Sequence, residues 1–230
     1  MSIAIRENDS GLVLARHLAE PHMTARLLST RSYATDARGD YAASVRDAAE
    51  GVRLFRRAED RMRAGTMLAS LGYYELAAGD RDAARRHLAE ALDIARALGD
   101  RFGAVFATFN LGLAEYLSGS PGAAEALFAE SLDLARRMGM RSNTAYALIG
   151  LAMASHGKAD PGWSARLHGA ADQALADLGH ALEPLEGRLA GLDRQRLRAA
   201  MGAKAFEAEY AAGRTLGPDQ IVDLALSSRA

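Results

Sequence analysis

Along residues 81–98 the apolar side chains fall at Ala84, Leu88, Ala91, Leu92, Ala95 and Leu98, spaced 4, 3, 1, 3 and 3 apart. That spacing draws one apolar stripe down a helix of about 18 residues. Ala124, Phe128, Leu132, Ala135 and Met138 draw the same stripe 40 residues later. The polar and turn-forming positions repeat with it. Segments 71–101 and 111–141 are identical at 14 of 31 aligned positions, among them Gly72/Gly112, Gly79/Gly119, Ala84/Ala124, Leu92/Leu132 and Gly99/Gly139. A helical pattern with this period predicts stacked helix pairs, because neither helix of a pair can hide its stripe alone.

The joints carry their own signals. Gly79-Asp80 and Gly99-Asp100 each offer a glycine to close one helix and an aspartate to cap the next. The frame runs on more weakly in both directions through Gly39-Asp40, Asp60-Arg61 and Ala159-Asp160-Pro161, predicting helices at 21–38, 41–58, 142–157 and 161–178. Residues 11–19 (GLVLARHLA) read as the second helix of a pair whose first is missing, as though the chain began inside a longer ancestor. Beyond Gly179 the register is lost, and Pro184 opens a different segment with helices at 186–201, 203–213 and 218–227. The expected fold is an all-α superhelix: a solenoid of antiparallel helix pairs over 1–180, with C-terminal capping helices packed on it over 181–230.

Composition narrows the function classes. Apolar residues make up 49% and charged residues 25% of 230, enough for an extensive core. The net charge of −1 leaves no electrostatic footprint for nucleic acid. Without cysteine there are no disulfides, thiolates or Cys-ligated metals. The opening MSIAIRENDS is too charged for a secretory leader, and no apolar run is long enough to span a membrane. A soluble, cytoplasmic protein is the expectation.

On these residues the repeat resembles the tetratricopeptide (TPR) type. Gly72 and Gly112 fall on the family's first-helix glycine, and Ala84, Leu88 and Ala91 on its small–large–small positions. Departures are the 40-residue period, Glu75 or Glu115 in place of Tyr, and Arg96 or Arg136 in place of Pro. The resemblance extends to the longer-helix repeats of actinobacterial signalling ATPases and LuxR-type regulators. ARLHGAADQALADLG (165–179), Phe206, Gly213-Arg214, Leu216 and Ala225-Leu226 are similar to the segment that closes those repeats. Those relatives carry an ATPase module and often a DNA reader. Here neither Lys158 nor Lys204 follows a phosphate-binding glycine loop. The resemblance therefore implies only the arm that senses a partner or effector.

In that family frame the first helix of each pair lines the inner face. The inward positions are Arg26, Ser29, Tyr33 and Asp36, then Thr66, Ala69, Tyr73 and Leu76. They continue as Phe106, Phe109, Leu113 and Tyr116, then Tyr146, Ile149, Met153 and His156. The C-terminal helices could cover this surface; left open, it suits a protein segment or a small apolar or aromatic ligand, or a homodimer contact. Arg26, Tyr33, Asp36, Tyr73, Phe106, Phe109, Tyr116, Tyr146, Met153 and His156 are the candidate binding residues. No histidine pair has metal-ligand spacing, so no metal and no cofactor is expected. His87 reads as lying on an exposed flank, and Arg188, Arg194, Arg196 and Arg198 as a solvated helix face. The leading expectation is a non-catalytic, regulatory binding module. The rival is a small-molecule-binding protein or an enzyme of cyclisation or proton-transfer type, recruited from such a scaffold in a biosynthetic pathway, with Tyr146 and His156 as the weak catalytic candidates.

Overall fold

The computed structural model describes residues 3–155 and 160–227. Among them lie twelve α-helices and no strand: α1 (Ile3–His17), α2 (Pro21–Asp36), α3 (Tyr41–Arg57), α4 (Arg61–Ala78), α5 (Arg81–Leu98), α6 (Arg101–Leu117), α7 (Pro121–Arg137), α8 (Arg141–Ala154), α9 (Pro161–Leu178), α10 (Pro184–Met201), α11 (Ala203–Arg214) and α12 (Pro218–Ser227). The all-α stack of helix pairs is thus as the periodicity predicts. Linking residues take a left-handed conformation at 20-residue intervals from Ala19 through Gly39, Glu59, Gly79, Gly99 and Gly119 to Gly139, and again at Gly179. Glycine adopts this without a Cβ clash, whereas Ala19 and Glu59 adopt it under strain. One residue on, Asp40, Asp60, Asp80 and Asp100 accept hydrogen bonds from the N–H groups of Ala43, Arg63, Ala83 and Gly103, capping α3 to α6.

One boundary differs from expectation. Helix α1 begins at Ile3, not near residue 11. Asn8 occupies the stripe position of Leu88 and Phe128, and this polar break conceals the first half of the helix from a periodicity reading. Asn8 donates from its side-chain amide to the Leu27 carbonyl, 3.3 Å away.

The chain forms two compact units, Met1–Asn110 and Leu111–Ala230. In the first, α1 packs on α2, α2 on α3, α3 on α4 and α4 on α5. Small residues set the approach. A Cβ on Gly72 would lie 2.4 Å from Leu88, and one on Gly65 would lie 2.7 Å from Ile94, so α4 and α5 can meet closely only with glycine at both places. Leu68, Leu88 and Leu92 are buried, each contributing about 1.5–3 kcal/mol by removal from water. Polar ties repeat too: Arg16 pairs with Glu50, and Arg56 with Glu90 forty residues later. Arg31 grips both carboxylate oxygens of Asp47 at 2.6 and 2.7 Å and reaches Asp9, joining α2 to α3 and α1.

In the second unit, Phe128 of α7 is wedged between glycines of α6 and α8. A Cβ on Gly112 or Gly150 would fall 2.7 or 2.4 Å from its ring. Helix α8 packs on α7 and α9, α10 lies against α9 and α8, and α12 rests on α7 and α9. Helix α11 crosses α9 with backbones almost touching: a Cβ on Gly213 would meet the Arg166 carbonyl oxygen at 2.1 Å, and one on Gly169 the Tyr210 oxygen at 2.0 Å. Gly169 and Gly213 therefore serve a helix crossing that only glycine permits.

Candidate partner-binding face

In the first unit the inward positions separate into two stripes. Arg26 and Tyr33, seven residues apart, share one stripe of α2 and both are exposed, Tyr33 by 62%. Thr66 and Tyr73 repeat that stripe on α4, exposed and half-buried respectively, and Phe106 repeats it on α6 at 39% exposure. Ala69, Leu76, Asp36 and Phe109 lie on the other stripe and are buried between helices, with Ser29 half-buried. Asp36 and Phe109 are therefore core residues and offer no side-chain surface to a ligand. Met62 and Phe102, a turn before Thr66 and Phe106, are exposed as well. The Phe102 and Phe106 rings touch at 5.0 Å, and Tyr73 meets Tyr74 edge-on at 5.9 Å. These exposed aromatic and apolar side chains are suited to holding an apolar segment.

The corresponding positions of the second unit are not open. Leu113, Ile149 and Met153 are buried, and Tyr116 and Tyr146 half-buried. The Tyr146 hydroxyl accepts from the Glu183 N–H at 3.1 Å and donates to the Ala181 carbonyl at 3.4 Å, so it fastens the chain leading into α10. Tyr116 is held by Arg196 of α10. Burial, and then the nearby Asp193 charge, raise its pKa above the usual phenol value. The C-terminal segment therefore engages this face. His156, the remaining candidate, lies outside the described residues.

Beneath α10 is a pair that the sequence reading missed. His168 Nε2 and Asp193 Oδ2 are 2.9 Å apart, with both side chains 0% exposed. His168 Nδ1 and Asp193 Oδ1 are buried without a hydrogen-bond partner. A signal existed: His168 sits 80 and 40 residues after Leu88 and Phe128, so it is a polar residue on an apolar stripe and requires a buried partner. Asp193 lies in the segment without repeats, where no register points to it. Nearby, Asp172 of α9 receives Arg194 of α10 and, at 2.6 Å, the Tyr210 hydroxyl of α11. Burial and that carboxylate push Tyr210 up to about 12. Arg214 bonds Gln173, and Arg166 pairs with Glu209 across the same crossing.

Two sequence expectations need correction. The arginines of α10 are not a plain solvated face: Arg194 and Arg196 bind Asp172 and Tyr116, and Arg198 pairs with Glu207 while lying over the Phe206 ring at 5.0 Å. His87 is half-buried with its Nδ1 2.8 Å from Glu75, a buried carboxylate whose pKa is raised chiefly by desolvation. Its partner is the residue that stands where the repeat family favours tyrosine, which is why the helix surface alone did not reveal it.

Among the described residues no group of three or more His, Asp or Glu side chains could hold a metal ion, and no helix is long and apolar enough to cross a membrane. Residues 63–137 match the profile of the family described as Tetratricopeptide repeat. No curated protein matches the chain. That match runs from the start of α4 to the end of α7, about a third of the chain, and paired helices continue on both sides of it, so the fold is a TPR-like all-α stack of helix pairs.

Proposed function

We propose that the protein is a non-catalytic, regulatory binding module that recognises a segment of another protein through the open stripe of its first unit. Arg26, Tyr33, Tyr73, Phe102 and Phe106 form that surface. The observation that carries the proposal is the contrast between equivalent positions: Tyr33 faces solvent while Leu113 and Met153 are buried, and Phe106 is exposed while Tyr146 is half-buried. Exposed aromatic side chains on rigid helices are strong anchors, since little rotamer freedom is lost when they are covered. Tetratricopeptide repeats commonly mediate protein–protein contacts, and the resemblance to the sensing arm of regulators supports a regulatory, cytoplasmic setting.

The enzyme reading has less support. Tyr146 is bonded at its hydroxyl by two backbone groups ahead of α10, which leaves it poorly placed to move a substrate proton. A random 12-residue peptide library displayed on phage and panned on the full chain tests the binding reading. Enriched peptides should share apolar or aromatic anchors and bind Phe106→Asp or Tyr33→Ser at least about tenfold more weakly, a loss of about 1.4 kcal/mol. Arg188→Ala, on exposed α10 surface, should change nothing. Peptides that bind Phe106→Asp and Tyr33→Ser as tightly as the parent would refute it.

A further inference from the structure

Helix α10 is weakly built. Its buried residues are Leu185, Glu186, Leu189, Ala190, Asp193 and Leu197, so carboxylates stand among the leucines that hold it down. Gly187 and Gly191 lie about one turn apart on it, and packing requires neither. A Cβ on Gly187 would meet Leu182 at an ordinary 3.8 Å, and one on Gly191 would meet nothing within 4 Å. Gly169 and Gly213 are the opposite case, since a Cβ at either would strike backbone. Two glycines in a helix interior weaken it, and here no close contact compensates.

The near end of α10 is fastened by polar contacts. The chain turns at Gly179, with a φ of 66°, and runs through residues 180–183 without helix. His180 Nδ1 lies 2.8 Å from Ser142 Oγ, and the Tyr146 hydroxyl bonds Ala181 and Glu183. Further along, Asp193 meets His168, leaving His168 Nδ1 and Asp193 Oδ1 buried without a hydrogen-bond partner. Lifting α10 would bring both atoms to water, so this pair resists opening less than a fully bonded one. The far end is anchored. Leu197 packs with Ala165 of α9 and Phe206 of α11, and α11 is held on α9 by the Gly169 and Gly213 crossing.

We propose that residues 180–194 form a flap that lifts from α8 and α9 by local unfolding of the first turns of α10, pivoting at Leu197 while α9 and α11 stay folded. Closed, the flap covers Tyr146 of the second unit. Tyr146 is the counterpart of Phe106, forty residues earlier, which the first unit leaves exposed. The flap is therefore an autoinhibitory contact: it masks in the second unit a position that is open in the first. That inhibitory role rests on the binding function proposed above, whereas the opening itself is measured without a ligand.

Hydrogen–deuterium exchange of the full chain, resolved by mass spectrometry of peptic fragments, reads the opening. Amides of 184–194 should be protected at least about 100-fold less than those of 164–176 on α9 and 206–213 on α11. Gly187→Ala together with Gly191→Ala should slow exchange in 184–194 by about five- to thirtyfold, because alanine favours the closed helix. Phe128→Leu loosens the α7 core and leaves the flap untouched. It should speed exchange in 164–176 at least about fivefold and leave 184–194 unchanged. Equal protection in all three segments would overturn the proposal, as would a Phe128→Leu effect that spreads equally to 184–194. Either result would mean that α10 opens only when the whole unit unfolds. Alanines that leave exchange in 184–194 unaltered would overturn it too, since the open flap would then still be helical. Failure of the peptide panning alongside the expected exchange pattern would remove the inhibitory role and leave the flap.

Discussion

Replacing a helical glycine by alanine ordinarily stabilises a helix by about 0.5–1 kcal/mol, because glycine loses the most backbone freedom on folding. The second unit offers two glycines at which the same change should act with opposite sign. At Gly191 on α10 an added Cβ meets nothing within 4 Å, so Gly191→Ala should stabilise by that amount. At Gly213 on α11 the Cβ would lie 2.1 Å from the Arg166 carbonyl oxygen, where real contacts do not fall below 3.0 Å. Helices α9 and α11 must then part by about 1 Å. Steric strain of this kind costs about 1–3 kcal/mol. The Tyr210–Asp172 and Arg214–Gln173 bonds across the crossing would stretch, and bonds to charged groups contribute about 1.5–3 kcal/mol each when fully lost. Partial loss, less the gain in helix propensity, leaves a net destabilisation of about 2–4 kcal/mol. Trp163 is the sole tryptophan and lies on α9, so its fluorescence during urea unfolding reports the second unit directly. The midpoint should fall for Gly213→Ala and rise for Gly191→Ala. Two variants within 0.5 kcal/mol of each other (about the scatter expected of surface substitutions) would refute the close crossing and the anchoring of the C-terminal helices inferred from it.

Other sites test the repeat joints and the buried pair. Asp60 is held down to about 2 by the Arg63 N–H and side chain and by His22, so its contribution is present above its unfolded pKa of 3.8 and is lost as pH falls through 2. Asp60→Asn should therefore cost about 1–2 kcal/mol at pH 7 and approach the parent near pH 2, as read from urea midpoints across that range. Glu59 holds a left-handed φ of 55°, and Glu59→Gly should raise stability by about 0.5–1 kcal/mol in thermal unfolding. His168→Leu should cost about 3–5 kcal/mol by stranding Asp193, and adding Asp193→Leu should restore most of it; additive losses in the double-mutant cycle would show that the pair is not coupled.

The helices, their joints and their pairing were legible in the amino-acid order because each is a local or periodic property. A stripe spaced by 3 and 4, a glycine that must turn left-handed and an aspartate that caps the next turn all act within a few residues, and a 40-residue echo confirms them. The inward face was legible only as a set of eligible positions. Whether Tyr33 points to water while Asp36 turns into the core depends on which of two adjacent stripes meets the neighbouring helix. The fate of Tyr116 and Tyr146 depended on where α10 came to rest, and His168 met Asp193 only because α9 and α10 pack together across 25 residues without repeat register. Sequence by itself determined the stacked-pair architecture, since short-range backbone and burial rules are enough to specify it. Tertiary structure alone decided which part of the repeat surface stays open, because exposure is set by what else the chain places there.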